Sequence, residues 1–412
     1  MIRAAIDTNV TPIMRPLLTG SVAAIRALRW RSPIRPQTLS DWDPMSRVFI
    51  KKATYDPSII RPMVTEMLDS MGPGWITSGM RVLVKPNLLQ PADPDKGIVT
   101  HPLICQTVVQ YLLDKGAQVQ VSDSPGMGSF RKVLADTGYK AALEGLNVTL
   151  TPFERSVEVD IGEPFGRIPI AQEAMEADRV INLAKLKTHA QMYLTLGIKN
   201  MFGCIVGLRK PEWHMRAGVD RLMFARLLVQ IYQAVAPAFT IVDGVLALEG
   251  QGPGRSGKPR QLGLLVGGAN GHAVDKTICT LLGLDPSQLL TASLARQMGF
   301  YDGTVHVNGD IQIVDDFLFP ELNSLSMGPE SFNRFMRKYL LQKPVVDEKK
   351  CKLCGECWKI CPAKVITHNV KGVHFDYDRC IRCYCCLEVC PYGAISAKEP
   401  LLGRIRRGLI RP

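Results

Sequence analysis

A chain of 412 residues is long enough for two or three domains and a large core. Its hydrophobic share of 46% and charged share of 21% are those of a globular protein, which sets aside disordered and fibrous classes. The net charge of +12 lacks a long basic run interleaved with aromatics, so there is no strong nucleic-acid signal; an anionic small-molecule substrate or an acidic redox partner protein accounts for it as well. No stretch reaches the roughly 20 apolar residues of a transmembrane segment.

Residues 1–44 form a basic arm with Arg3, Arg15, Arg26, Arg29, Arg31 and Arg35, several prolines and no glutamate. Three readings stay open for it: a disordered arm, a targeting or membrane-surface segment, and a mis-start with Met45 as the first residue. From Val48 onward strand and helix patterns alternate. Val48–Ile50 reads as a strand, Pro57–Ser70 as a helix, and Arg81–Leu89 as a buried strand ending in a polar turn. A helix over Leu103–Lys115 stopped by Gly116, a strand over Gln118–Ser122, a helix over Phe130–Glu144 stopped by Gly145, and a strand over Val148–Phe153 follow. Strands at Arg179–Ala184, Thr240–Asp243 and Leu262–Val266 alternate with helices at Leu222–Val235 and Ala273–Leu282. Short apolar strands alternating with helices predict an α/β domain, a mostly parallel sheet with helices on both faces.

Ligands in such sheets bind beyond the carboxyl ends of the strands, so the polar residues there are the candidates. They are Lys85 and Asn87, Asp123 to Gly128, then Lys185, Lys187, Thr188 and His189, with Lys199 further on, and Asp243-Gly244 with the loop from Glu249. Lys187-Thr188-His189 is the richest: His189 and Lys187 are the candidate catalytic groups, His189 as acid or base near neutral pH. Lys85, Asn87, Asp123, Lys185 and Lys199 complete a basic crevice for a carboxylate or phosphate. Each has a plainer reading. Lys85-Pro86-Asn87 also suits a turn, Thr100-His101-Pro102 a helix start, and the lysines a solvated face. Ser124 to Gly128 is an anion loop or a turn, but no dinucleotide fingerprint, because Arg131 stands where the third glycine belongs. Gly252 to Lys258 counts like a P-loop, yet Pro259 replaces its Ser/Thr; a lid over the crevice is expected instead. His214 is a weaker candidate, and Cys204 reads as buried and inert.

The C-terminal part carries nine of the 12 cysteines. Cys351, Cys354, Cys357 and Cys361-Pro362 repeat as Cys380, Cys383, Cys386 and Cys390-Pro391, the ligand run of a [4Fe–4S] cubane written twice. The fourth cysteine of each run ligates the other cluster. Cys351, Cys354, Cys357 and Cys390 are therefore expected on one, and Cys380, Cys383, Cys386 and Cys361 on the other. Zinc would take two pairs, and a disulfide framework a secreted context. Cys385 falls outside the pattern. Val365-Ile366 and Ala394-Ile395 each follow a Cys-Pro, as paired short strands require. This stretch resembles the bacterial-type ferredoxin module, which implies a small α+β two-cluster domain.

Lys85-Pro86-Asn87, Thr100-His101-Pro102, Asp123 to Gly126, Lys187 to His189, Lys199 to Gly203 and Asp243-Gly244 with the Glu249–Gly257 loop, taken together, resemble the domain-of-unknown-function family 362. Members of that family are often joined to a ferredoxin-type domain. The resemblance implies an iron–sulfur-associated α/β domain and supplies no reaction. The expected organisation is an arm at 1–44, an α/β domain at 45–324, a connector at 325–346, the two-cluster domain at 347–398 and a basic tail at 399–412. The expected function is a cytoplasmic electron relay through two [4Fe–4S] clusters to or from the α/β domain, an oxidoreductase of unknown substrate. A non-catalytic electron carrier or docking module is the alternative.

Overall fold

The computed structural model describes residue 45 and residues 47–207, 209–309, 312–320, 341–370 and 372–400. The expected arm at 1–44, most of the connector and most of the tail lie outside the described residues. In chain order the strands are β1 (Arg47–Lys52), β2 (Arg81–Lys85), β3 (Gln118–Val121), β4 (Val148–Leu150), β5 (Ser156–Asp160), β6 (Arg167–Ala171), β7 (Arg179–His189), β8 (Tyr193–Thr195), β9 (Phe239–Gly250), β10 (Gly257–Gly268) and β11 (His306–Asn308). The C-terminal module adds β12 (Lys343–Val346), β13 (Ile366–Asn369), β14 (Gly372–Phe375) and β15 (Ile395–Lys398).

Among the described residues one nine-stranded sheet dominates, ordered β11-β1-β10-β9-β7-β2-β3-β4 with β8 paired to β7. The centre is parallel, β9-β7-β2-β3-β4, while β10 runs antiparallel to both β9 and β1. Alternation along β2 explains the layering. Val82 and Val84 face the helices Pro57–Asp69 and Pro102–Asp114, and Leu83 faces the helix Arg221–Val235 on the other side. The helix Gly271–Leu281 covers that second face further along, against Ala184, Val242 and Val266. Helices thus cover both faces, as a sheet buried on both sides requires. No helix of the described residues is long and apolar enough to cross a membrane.

Several expected boundaries move, each for a local reason. The helix expected over Phe130–Glu144 is two, Phe130–Asp136 and Tyr139–Ala142, because Gly138 takes a left-handed φ of 77° between them. Strand β7 runs past Ala184 to His189, with a register shift at Lys185/Lys187 against β9 and a return hairpin to β8. Lys185, Lys187 and His189 therefore lie on the strand, not after it. The loop at Gly250–Gly257 is the turn of the β9–β10 hairpin. In the module, Ile366 pairs with Phe375 in β13–β14 and Ile395 with Val346 in β12–β15. The strands after the two Cys-Pro steps thus pair with other partners, not with each other, and Lys343–Val346 belongs to the module's sheet.

Candidate functional site

Residues two apart on a strand share a face, so Lys185, Lys187 and His189 of β7 point the same way, and all three are buried. A buried ammonium needs a partner. Lys185 Nζ donates to Asp243 Oδ2 at 2.8 Å and to Tyr55 Oη at 2.9 Å. Tyr55 Oη donates to Asp243 Oδ1, and the His101 backbone N–H reaches Oδ2, so the carboxylate is fully engaged. Lys85, from the end of β2, pairs with Asp123 at 2.8 Å, and Asp123 also accepts from the Leu88 and Ser124 amides. Burial pushes the Asp123 carboxyl up, but Lys85 and Lys210 outweigh it and hold it below its usual range. A Cβ at Gly203 would land on Lys85 Nζ and Asp123, which explains a glycine there. Two of the expected crevice lysines are thus matched to carboxylates from adjacent strands. An open basic crevice built from all four is not what forms.

Lys187 differs. Its Nζ donates to Asn87 Oδ1 and the Ile98 carbonyl, both at 2.8 Å, and makes no ion pair with a carboxylate among the described residues. Burial, reinforced by Lys199, pushes its pKa down to about 7. Asn87 is oriented by a line of amides: its Nδ2 donates to Asn200 Oδ1 at 2.9 Å, and Asn200 Nδ2 to Asn182 Oδ1 at 2.8 Å. Lys199 is partly exposed, and burial lowers its pKa against the pull of Glu388.

His189 accepts the Gln191 and Met192 amides at Nδ1, at 3.0 and 3.2 Å. Its proton therefore sits on Nε2, which donates to Glu388 Oε1 at 2.7 Å. Burial and Lys199 push the imidazole down to about 4, so it is neutral at pH 7. Burial would raise Glu388, but the His189 hydrogen bond and the Lys199 charge hold it well below the carboxylate range. With both nitrogens engaged, His189 is a link between domains and not a free proton donor.

Glu388 went unrecognised in the sequence. It stands between Cys386 and Cys390, and the repeat aligns it with Lys359. That reversal of charge inside a repeat was the available signal. Lys210 was missed as well; it donates to the Ser124 carbonyl, and burial pushes its pKa down to about 8. His101 caps its helix through Nδ1, accepting from the Leu103 amide, and stacks on Tyr55 at 3.7 Å. Its cap reading accounts for it. His214 lies buried against Phe224 with Nδ1 unpartnered, and burial pushes the Cys204 thiol up to about 12.

The cluster module docks on this region. Ala190, just beyond β7, packs into the module's core with Cys357, Cys386 and Cys390. The hairpin loop is sewn on rather than hung as a lid: Ser256 Oγ donates to the Ile395 carbonyl, and the Ala397 amide to Gln251 Oε1. A Cβ at Gly254 would fall 2.8 Å from the Glu388 carbonyl, so the loop needs glycine to pass. Gln90, fully buried beside this crossing, leaves both side-chain amide atoms unpaired.

Two small hollows open inside the module. Cys351, Cys354, Cys357 and Cys390 line one, and Cys361, Cys380, Cys383 and Cys386, with Cys385, line the other. Among the described residues no three His, Cys, Asp or Glu side chains close on a single-ion position; the thiols ring a space, as a cubane's four irons require. The Ala394 amide donates to Cys390 Sγ at 3.2 Å, an N–H···S bond of the kind that tunes cluster potential. The donor sets fit iron–sulfur clusters.

Comparison with known proteins agrees. The family model described as Domain of unknown function (DUF362) matches residues 82–280, and that of a 4Fe-4S dicluster domain matches residues 343–391. The chain is 34% identical over 280 residues to thylakoid-associated protein sll1697 of Synechocystis, spanning 66% of this chain and 87% of that one. Pyruvate synthase subunit PorD of Methanocaldococcus jannaschii is 36% identical over 55 residues, 13% of this chain and 64% of its own. The lactate racemase apoprotein of Thermoanaerobacterium thermosaccharolyticum aligns with a TM-score of 0.39 at 13% identity, over 61% of this chain and 60% of that one, a likeness too slight to carry an argument.

Proposed function

Because the chain belongs to the domain-of-unknown-function family 362 and carries a 4Fe-4S dicluster domain, we propose that it is an iron–sulfur oxidoreductase in which two [4Fe–4S] clusters exchange electrons with a buried cation site on the sheet. In this reading Cys351, Cys354, Cys357 and Cys390 hold one cluster, and Cys361, Cys380, Cys383 and Cys386 the other. Bound there, each supplies one-electron uptake and release. The observation that carries the reading is the 2.7 Å contact between His189 and Glu388, which ties the residue between two cluster cysteines to the strand bearing Lys187.

The protein's own groups then divide the work. Lys199 and Lys187 hold an anionic small molecule, with Asn87 aiming Lys187. An amine with a pKa of about 7 is suited to give or take a proton at neutral pH, so that role falls to Lys187 in place of His189. The Lys85–Asp123 and Lys185–Asp243 pairs brace the walls. Unpaired Gln90 supports a bound molecule or water at the crossing, since buried amides rarely stay unpartnered. A redox partner protein completes the circuit, a reading supported by the PorD relatives, which are by name subunits of pyruvate synthase. The cytoplasmic placement is part of the proposal; the relative that is thylakoid-associated by name makes a membrane surface the alternative.

Anaerobic purification, with iron and small-molecule analysis, tests this. About eight iron atoms per chain and an anionic compound lost from Lys187→Ala and Lys199→Ala are expected; about four iron atoms, or no dependence on either lysine, would sink it. The self-contained Lys85–Asp123 and Lys185–Asp243 pairs favour a second reading, a plain electron carrier with the sheet as a docking body. In that case full iron and no bound compound would be found.

A further inference from the structure

The line of amides behind Lys187 does not stop at Asn182. Asn182 Nδ2 donates to the Gly197 carbonyl at 2.9 Å, and the Ile198 amide donates to Asp275 Oδ2 at 3.1 Å. That carbonyl and that N–H are the two ends of one peptide group. Asp275 Oδ1 also accepts the Gly197 amide, at 2.8 Å. From Asp275 to Lys187, four amide groups therefore stand in series: the Gly197–Ile198 peptide and the side chains of Asn182, Asn200 and Asn87. Backbone carbonyls, which only accept, fix their direction. The Gly197 carbonyl takes Nδ2 of Asn182, and the Lys85 and Leu183 carbonyls, at 3.4 and 3.5 Å, take Nδ2 of Asn200. Every N–H of the line points toward Asp275 and every C=O toward Lys187.

Aligned amides polarise one another in a low-dielectric interior. A negative charge at the N–H end and a positive charge at the C=O end both favour this alignment. Each end also lacks a direct counter-charge. Asp275 is 1% exposed, and among the described residues no lysine, arginine or histidine pairs with it. A buried charge without a partner is costly, and burial pushes the Asp275 carboxyl up to about 7 against its two amide bonds. Tyr232 and Cys279 beside it are kept neutral by burial, which raises both. Lys187 feels Lys199, Glu388, Lys185 and Asp123 as well, none of which belongs to the line.

We propose that Asp275 is a positioning residue for Lys187: the buried counter-charge that keeps the line of amides aimed at its amine. Polarity passes along the line, and no bond is made or broken. Through it the helix Gly271–Leu281 bears on a site built on β7. The proposal rests on the reading of Lys187 as the group that gives or takes a proton. The plainer alternative is that Asp275 only caps the short helix Gly197–Asn200.

The full chain, loaded with iron and sulfide, is trace-labelled with cyanate under anaerobic conditions across a pH series, beside a free lysine peptide as internal standard. Mass spectrometry then gives the pH midpoint of the Lys187 amine, expected at about 7 in the unaltered chain. Asp275→Asn keeps the shape and removes the charge, and is expected to lower that midpoint by about one pH unit. Asn182→Leu keeps the charge and cuts the line, and is expected to shift the midpoint the same way. The double variant is expected to shift it no further than the larger single change. An unmoved midpoint in Asp275→Asn would overturn the proposal and leave a helix cap. So would a shift in Asp275→Asn with none in Asn182→Leu, the mark of a charge acting through space. Circular dichroism and iron content check that each variant folds; if Asp275→Asn does not, an unmoved midpoint in Asn182→Leu overturns the proposal alone. A midpoint near 10.5 in the unaltered chain would overturn the reading of Lys187 instead.

Discussion

The two cysteine repeats are built alike and placed in opposite settings. Each has the same ligand spacing and the same left-handed turn before its short helix, at Gly355 and at Tyr384. The first keeps Cys354 and Leu353 in solvent, while the second is buried against strand β7 and its neighbours. What separates them is a few side chains, chief among them Glu388 where the first repeat has Lys359. A carboxylate there bonds neutral His189 and sits beside Lys199; a lysine would add a third cation to Lys187 and Lys199. A symmetric cofactor scaffold is thus anchored to the sheet by a charge that one repeat carries and the other reverses.

Removing a ligand gives the largest expected effect. Cys354→Ser and Cys386→Ser are each expected to lower iron from about eight to about four atoms per chain. Only Cys386→Ser, in the helix that carries Glu388, is also expected to loosen the module, read as faster proteolytic release of residues from the C-terminal side. Equal release from both variants would erase the contrast.

Next comes the sheet. Asp243→Asn leaves Lys185 buried and unpaired, and is expected to cost about 3–5 kcal/mol in denaturant unfolding. The outward Lys350–Asp347 pair, broken by Asp347→Asn, is expected to cost under about 1 kcal/mol. A loss below about 1 kcal/mol for Asp243→Asn would mean that the buried pair does not brace the site.

The His189–Glu388 link is worth about 1.5–3 kcal/mol as a hydrogen bond to a charged group. It also sets a pH dependence. The folded state holds the imidazole at about 4, below its ordinary 6.5, so protonation favours the unfolded chain. Stability is therefore expected to be full above about 6.5 and to fall as pH drops toward 4. His189→Gln is expected to flatten that window, and an unchanged slope would move the titration elsewhere. A similar cost is expected at Gly254→Ala, about 1–3 kcal/mol if the loop cannot shift its 2.8 Å approach to the Glu388 carbonyl.

Much of this was legible in the sequence because local rules govern it. Alternating apolar strands and helices imply the α/β sheet, and the cysteine spacing alone names the same quartets that line the two hollows. The rest depends on contacts far apart in the chain. Strand β7 outruns its apolar stretch because β8 and β9 pair with its polar end, a pairing invisible from Lys185 to His189 alone. That Lys85 and Lys185 are matched to Asp123 and Asp243 follows from which strands are neighbours. Glu388 reaches His189 across 199 positions, and no pattern near either residue announces the other.

The most direct test is a potentiometric titration of the loaded chain followed by electron paramagnetic resonance, with and without His189→Phe. The substitution removes the donor to Glu388, which stands between Cys386 of one quartet and Cys390 of the other. Two one-electron steps are expected, and at least one of them moves in the variant, because Glu388 is two residues from a ligand of each quartet. If neither step moves, the sheet and the clusters are not coupled through His189.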